Sequence, residues 1–254
     1  PRPRPRGCAR PERSARPAGG MTRFVLVHGA CHGAWCWSAV EAALRRRGHE
    51  TVAIDLPCRG EDNTPAREAT LAGFAERVAR AIDQPSVLVG HSFAGFPITA
   101  AAALVPGRIE QLVYLAAYVP EPGRSLREMR KAWPDQPLRG SYVMTDGGAA
   151  FTFRADLAEL LFYHDCPPES AARAAALLCP EPVAPQETPV PDTDAAVALP
   201  RRYILCTEDR AIPPAFQATM VRDWPAAAVR RLATSHSPFL SAPDELAEML
   251  CCDR

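Results

Sequence analysis

Lysine is almost missing from this sequence: Lys131 stands alone, and the other 28 cations are arginine. Net charge is missing as well, since 29 basic residues meet 29 acidic ones. That balance argues against a protein built for electrostatic binding of nucleic acid. No apolar stretch approaches the ~18 residues of a membrane span, and no apolar signal segment follows the arginine-rich start. The default expectation is a cytoplasmic protein with no membrane partner. The nine cysteines are odd in number and form no pair of Cys-x-x-Cys units, which argues against a disulfide framework or a zinc ribbon. Cys31, His32 and Cys36 lie close together, but a fourth ligand at suitable spacing is lacking. Buried free thiols and no metal are the reading. Internal repeats are absent too.

The neutral balance hides an uneven split. Residues 1–20 hold six arginines and one acid, Glu12, which leaves a net of −5 on the rest. These twenty residues repeat proline at short spacing and offer no apolar run, so a disordered, basic Pro/Arg-rich tail is expected. Met21 would then open the folded body, with an arm for an anionic partner as the alternative reading of the tail. The arginine skew, with much alanine and proline, points to genome composition rather than to function.

What is present is a core. Hydrophobic residues make up 47% of 254, enough for one large domain. Apolar runs at Phe24–His28, Thr51–Ile54, Ser86–Val89 and Leu112–Ala116 read as buried strands. Helical patterns at Trp35–Arg47, Leu71–Ile82 and Phe93–Leu104 separate them. Strand alternating with helix implies a parallel sheet with right-handed crossovers, covered on both faces. The pattern breaks over 118–199, where prolines cluster and helical segments fall near 154–163 and 168–178. It resumes with a strand at Arg202–Cys206, a helix at Pro214–Asp223, a strand at Val229–Leu232 and a helix at Ala242–Leu250. The expected organisation is a core of 21–117 and 200–254 with a lid insertion, 118–199, over the carboxyl edge of the sheet, where open α/β sheets bind ligands.

The sharpest motif is Gly90-His91-Ser92-Phe93-Ala94-Gly95, a G-x-S-x-G between a buried strand and a helix. A serine on that tight turn sits in strained dihedrals, so its close neighbours must be small, and its hydroxyl projects above the sheet. Such a hydroxyl needs a base, which should come late in the chain, after an acid. His236 follows the last strand and returns to the same edge. His28, His32, His49, His91 and His164 do not, and the His91 side chain should point elsewhere. After the strand at 202–206 the residues offer two acids, Glu208 and Asp209. The Phe93 N–H, just after the nucleophile, is one oxyanion donor. The small-residue loop His28–Gly33 supplies the second candidate, the Ala30 N–H.

With these residues in place the chain resembles the α/β-hydrolase branch of plant methylesterases and hydroxynitrile lyases, with their bacterial esterase relatives. The resemblance runs over roughly residues 22–250. FVLVHGACHGAWCW resembles the opening strand and oxyanion loop, GHSFAG the nucleophile turn, and FYHDCPPESAARAAALLCPEP the lid helices. RRYILCTEDRAIPPAFQ resembles the acid loop and SHSPFLSAPDEL the histidine loop. The resemblance implies the α/β-hydrolase fold and makes Asp209 the acid. It also implies that positions 29 and 237 separate esterases from lyases. The lyases carry threonine and lysine there, to bind a cyanohydrin and help cyanide leave; this chain has Gly29 and Ser237.

The expectation is therefore a serine carboxylesterase with triad Ser92, Asp209 and His236, working through an acyl-enzyme without metal or organic cofactor. An aromatic and aliphatic lid stripe, with Trp133, Phe153, Leu161 and Phe162 as substrate-facing candidates beside Gly29 and Ser237, suits a small apolar methyl or short-chain ester. A hydroxynitrile lyase, an acyltransferase or tailoring enzyme on the same triad, and a non-catalytic small-ligand receptor are the alternatives. Oligomeric state stays open, with a homodimer among the options.

Overall fold

The computed structural model describes residues 20–252. The expectations for the tail and for Cys8 fall outside those residues, apart from Gly20. The chain opens with β1 (Arg23–Val27), α1 (Ser38–Arg46), β2 (Glu50–Ile54), α2 (Leu71–Ala81), β3 (Ser86–His91), α3 (Gly95–Leu104) and β4 (Ile109–Leu115). A long excursion follows, with α4 (Leu126–Ala132), β5 (Tyr142–Thr145), β6 (Ala150–Phe153), α5 (Ala155–Phe162), α6 (Pro168–Ala176), β7 (Glu181–Pro182), α7 (Ala184–Glu187) and α8 (Asp194–Val197). The chain then returns through β8 (Arg201–Cys206), α9 (Pro214–Met220), β9 (Val229–Leu232), α10 (Pro238–Ser241) and α11 (Pro243–Cys251).

Six strands form one sheet in the order β2-β1-β3-β4-β8-β9, and every pairing in it is parallel. Side chains alternate between its faces. Val25, Val27, Leu88, Leu112, Tyr114 and Tyr203 pack one face with Phe74, Val78 and Ile98 from α2 and α3. Phe24, Leu26, Val87, Val89, Val113 and Ile204 pack the other with Val40 and Leu44 of α1 and Leu246 and Leu250 of α11. Because both faces are covered, the inner strands β1 and β3 read as near-continuous apolar runs. β4 starts three residues before its apolar run, at Ile109. Its half-buried Glu110 and Gln111 interrupt the hydrophobic pattern but not the pairing, which shifts register between Ser86 and Val87.

Local chemistry sets the helix ends. Thr70 caps α2 by accepting from the Gly73 N–H at 3.0 Å, and Ser125 and Glu128 close a reciprocal capping box on α4. Between β4 and β8 the two expected helices are α5 and α6. The sequence pattern did not reveal the three-stranded antiparallel sheet β5-β6-β7. Two of its strands have four residues and the third has two, too short for alternation to show. Aromatic side chains of this sheet and of α5 pack together with Cys31 of the core in a third apolar cluster, so this segment caps the carboxyl edge of the main sheet. No helix among the described residues is long and apolar enough to cross a membrane.

Candidate active site

Three loops leave the carboxyl edge of the sheet and meet. β3 ends at His91 and runs into a single 3-10 turn, Ser92–Ala94, before α3. Ser92 holds φ of +55°, the left-handed region that disfavours a side chain. The turn is tight enough that a Cβ on Gly90 would come within 2.8 Å of the Ile98 side chain. Small neighbours are therefore a packing necessity, as the motif implies.

The Ser92 hydroxyl donates to His236 Nε2 at 3.0 Å, and His236 Nδ1–H donates to Asp209 Oδ2 at 2.7 Å. His236 and Asp209 are buried, 3% and 4% exposed, so water does not compete for the bond between them, while half-buried Ser92 faces the cavity. Asp209 is held on all sides. Its Oδ1 accepts from the N–H groups of Ala211 and Ile212 at 2.7 and 2.8 Å, and its Oδ2 from Gln217 Nε2 at 2.9 Å. Glu208, the neighbouring acid, is exposed. Ala30 and Phe93 line the same small cavity as Ser92 and His236.

Three buried histidines surround this chain of groups. His91 is fully buried and donates from Nε2 to the His236 carbonyl at 2.8 Å, its ring 4.6 Å from the His236 ring. The sequence expectation had it pointing away. It points instead along the edge of the sheet and ties the nucleophile turn to the histidine loop. His32 donates from Nδ1 to the Ala30 carbonyl at 2.8 Å and accepts from the Tyr163 hydroxyl at 2.8 Å. Both its nitrogens are thus occupied within the protein. His28 donates to the Gly29 carbonyl at 2.9 Å and accepts from the Leu56 N–H at 3.1 Å. Burial is the largest cause holding all three below the ordinary histidine value, His32 at about 4 and His28 and His91 well down. All three are neutral at pH 7, which fixes their tautomers as donors on the nitrogens named. Among the described residues no cluster of three or more His, Cys, Asp or Glu is placed to hold a metal ion.

Of the substrate-facing candidates, Phe153 and Phe162 line the small cavity, with Leu126, Leu138, Phe151 and Tyr142 completing an apolar wall. Leu161 is turned into the cap's own cluster. Trp133 lines a larger neighbouring cavity and stacks on Phe216, centroids 4.7 Å apart. Gly29 lies behind the wall, where a Cβ would come within 2.7 Å of His91 Nδ1 and 2.9 Å of Ser92 Cβ. Ser237 is fully buried, its hydroxyl without a hydrogen-bond partner. Ser235 fastens the histidine loop to the cap: its N–H donates to Asp165 Oδ2 at 2.7 Å and its hydroxyl to the Phe162 carbonyl at 3.0 Å. Burial pushes the Asp165 carboxyl up, but the hydrogen bonds it accepts, those from Ser235 first among them, together outweigh burial and leave the group below its usual value.

Sequence reasoning missed four polar residues: His91, Gln217, Arg59 and Glu181. Only Gln217 left a usable signal, a lone amide beside Phe216 on the apolar face of α9. The contacts of Arg59 and Glu181 span 122 positions and leave no local pattern.

Comparison with known proteins points to one family. A model of the alpha/beta hydrolase family matches residues 24–249. Methylesterase 1 of Arabidopsis thaliana is 30% identical over 244 residues, covering 89% of this chain and 93% of its own. A pyrethroid hydrolase from Sphingobium faniae superimposes with TM-score 0.79 at 28% identity, over 91% of this chain and 96% of that one. Polyneuridine aldehyde esterase superimposes with TM-score 0.79 at 26% identity, over 91% and 98%.

Proposed function

The chain belongs to the alpha/beta hydrolase family, and we propose that it is a serine carboxylesterase that cleaves small esters of apolar acids through an acyl-enzyme. The observation that carries this is the continuous chain of bonds from Ser92 through His236 to Asp209, with lengths of 3.0 and 2.7 Å, opening on a cavity with an apolar wall. Methylesterase and esterase relatives support the same reaction class.

In the mechanism, His236 Nε2 takes the Ser92 proton as Oγ attacks the ester carbonyl. The tetrahedral oxyanion receives the Ala30 and Phe93 N–H groups, preorganised by the loop and turn that hold them. Asp209 keeps the imidazole in the Nδ1–H tautomer and stabilises the imidazolium, so that Nε2 is the basic atom. The imidazolium then gives its proton to the leaving alkoxide. The same nitrogen activates water for the second half, which releases the acid and restores Ser92. His91 holds the His236 backbone in register from behind. The cycle calls for no metal and no organic cofactor.

Cyanohydrin cleavage is the weaker reading. A lyase of the resembling branch needs a hydroxyl at position 29 and a cation at 237. Gly29 provides no side chain, and Ser237 provides no charge to the leaving cyanide. The test is labelling with a fluorophosphonate probe, then turnover of a panel of methyl and p-nitrophenyl esters. Labelling that survives Ser92→Ala, or no ester turned over by the wild type, would reject the proposal.

A further inference from the structure

The cavity that holds Ser92 and His236 measures about 30 Å³, room for a water-sized group. No acyl group of ordinary size fits there alone. Beside it lies a second cavity of about 270 Å³. The two share Arg130, Leu138, Tyr142 and Ala211 as walls, so these side chains alone stand between the Ser92 cavity and the larger space. We propose that this larger cavity is an outer subsite that takes a flat acyl group bearing a carboxylate, which the Arg130 guanidinium binds. The proposal rests on the esterase reading above and revises its apolar acyl group to an aryl group that carries one carboxylate at its far end.

Two independent features of the cavity support this. The first is shape: the indole of Trp133 stacks on Phe216 at an interplanar angle of 8°. This makes a planar apolar wall that suits an aromatic ring. The second is charge. Arg130, Lys131 and Arg139 line the cavity against one acid, Asp135. Among the described residues none of the three cations pairs with a carboxylate. Lys131 and Arg139 are exposed and keep their hydration, but Arg130 is half-buried. Its side chain donates to the Tyr142 hydroxyl and lies 5.0 Å from the centre of that ring. Burial, the largest cause, pushes the Tyr142 phenol up to about 12, so this partner is neutral and leaves the cation uncompensated. Trp133 adds a buried indole N–H that has no acceptor. The slot thus holds a guanidinium without a carboxylate partner and an indole N–H without an acceptor, and a carboxylate supplies charge and acceptor oxygens in the planar geometry a guanidinium matches. On binding, Arg130 exchanges the Tyr142 hydroxyl for the carboxylate, which also opens the wall between the cavities.

Three probes decide the matter: monomethyl terephthalate, dimethyl terephthalate and methyl benzoate, each with the wild type, Arg130→Met and Arg130→Lys. The wild type should favour the monomethyl ester by kcat/KM. Arg130→Met, which keeps the apolar stem, should cut the kcat/KM preference for the monomethyl over the dimethyl ester about tenfold or more, chiefly through the KM of the charged substrate. Arg130→Lys should fall between, and added salt should weaken only the anionic substrate. Equal losses on charged and neutral esters would reduce Arg130 to a packing role and overturn the proposal, as would a wild type that prefers the dimethyl ester. Calorimetric binding of terephthalate separates this from the esterase reading. If no ester is turned over but terephthalate binds the wild type and not Arg130→Met, the subsite stands and the reaction assignment falls. If terephthalate does not bind the wild type, the subsite itself is rejected.

Discussion

Arg59, on the loop after β2, and Glu181, in the cap strand β7, meet as an ion pair with 3% and 0% of their surfaces exposed. The Glu181 oxygen that meets Arg59 also accepts the Cys31 N–H at 2.9 Å. Cys31 holds φ of +61° in the oxyanion loop, and the other end of the same peptide, the Ala30 carbonyl, accepts from His32. The Ala30–Cys31 peptide is therefore pinned at both ends, once by the cap and once by the core. The Ala30 N–H sits on the preceding peptide, whose Gly29 carbonyl accepts from the His28 ring at 2.9 Å and from the His32 N–H at 3.3 Å. The cap does more than cover the site: it clamps the peptide next to the proposed oxyanion donor.

Glu181→Gln tests this link. The amide keeps one acceptor oxygen but leaves the buried Arg59 uncompensated, at a cost of about 3–5 kcal/mol in stability. At a temperature where the variant is still folded, kcat should fall about tenfold or more while KM moves little, because the loosened donor matters most in the transition state. The double variant Arg59→Met with Glu181→Gln should recover stability but not kcat. If kcat recovers along with the melting temperature, the clasp is structural only.

Asp209→Asn should lower kcat by orders of magnitude. The amide turns an N–H toward the imidazole or forces the wrong tautomer, and it upsets the bonds from Ala211, Ile212 and Gln217. Glu208→Gln should leave kcat within about twofold, since that side chain is exposed. Ester hydrolysis rates of the two variants decide between the carboxylates, and the reverse pattern would move the acid by one residue.

The fold was readable because its signals are local and redundant. Buried strands read as unbroken apolar runs, and the serine turn demands glycine and alanine beside it. His236 was readable from order along the chain. Choosing Asp209 over Glu208 needed the family resemblance, and burial now supplies a physical reason: one side chain is enclosed by four donors and the other faces water. The cap was only half legible. α5 and α6 showed helical spacing, but the hairpin β5-β6 is too short to show a period, and of its aromatics only Phe153 was singled out as substrate-facing. Arg59 and Glu181 were invisible because each looks in sequence like a surface charge. Only the folded chain brings them into one dry contact.

Stability should fall as the pH drops from about 6.5 toward 4. His32 has an ordinary value of 6.5 when unfolded and about 4 in the fold. Between those values the unfolded chain binds more protons, so acid favours unfolding, and full stability is present only above the unfolded value. His32 alone accounts for about 3 kcal/mol by the bottom of that window. His28 and His91, also held down chiefly by burial, add in the same direction. Urea unfolding at pH 7.0 and 4.5 measures the effect. His32→Asn should be less stable at pH 7.0 but show a shallower decline. A wild-type midpoint that does not move between the two pH values would mean that these rings take up protons in the fold.

Gly29→Thr, the change toward the lyase pattern, should destroy esterase activity without creating cyanohydrin cleavage. A Cβ at position 29 comes within 2.7 Å of His91 Nδ1 and 2.9 Å of Ser92 Cβ. The backbone of the serine turn cannot retreat, because Ser92 already sits at φ of +55° and its carbonyl accepts from the Tyr118 N–H. His91 must move, and its Nε2–H holds the His236 carbonyl. Displacing that ring drags the base away from Ser92, and a shift near 1 Å is worth about a hundredfold in rate. Adding Ser237→Lys would not help: position 237 is fully buried and its backbone N–H is tied to the Ser235 hydroxyl, so an ammonium there would be desolvated without a partner. Methyl ester hydrolysis and mandelonitrile cleavage, measured on Gly29→Thr and on the double variant, test both halves. Wild-type esterase rates in Gly29→Thr would show that the His91 contact is slack. Strong mandelonitrile cleavage by the double variant would show that two side chains alone separate the reactions on this scaffold.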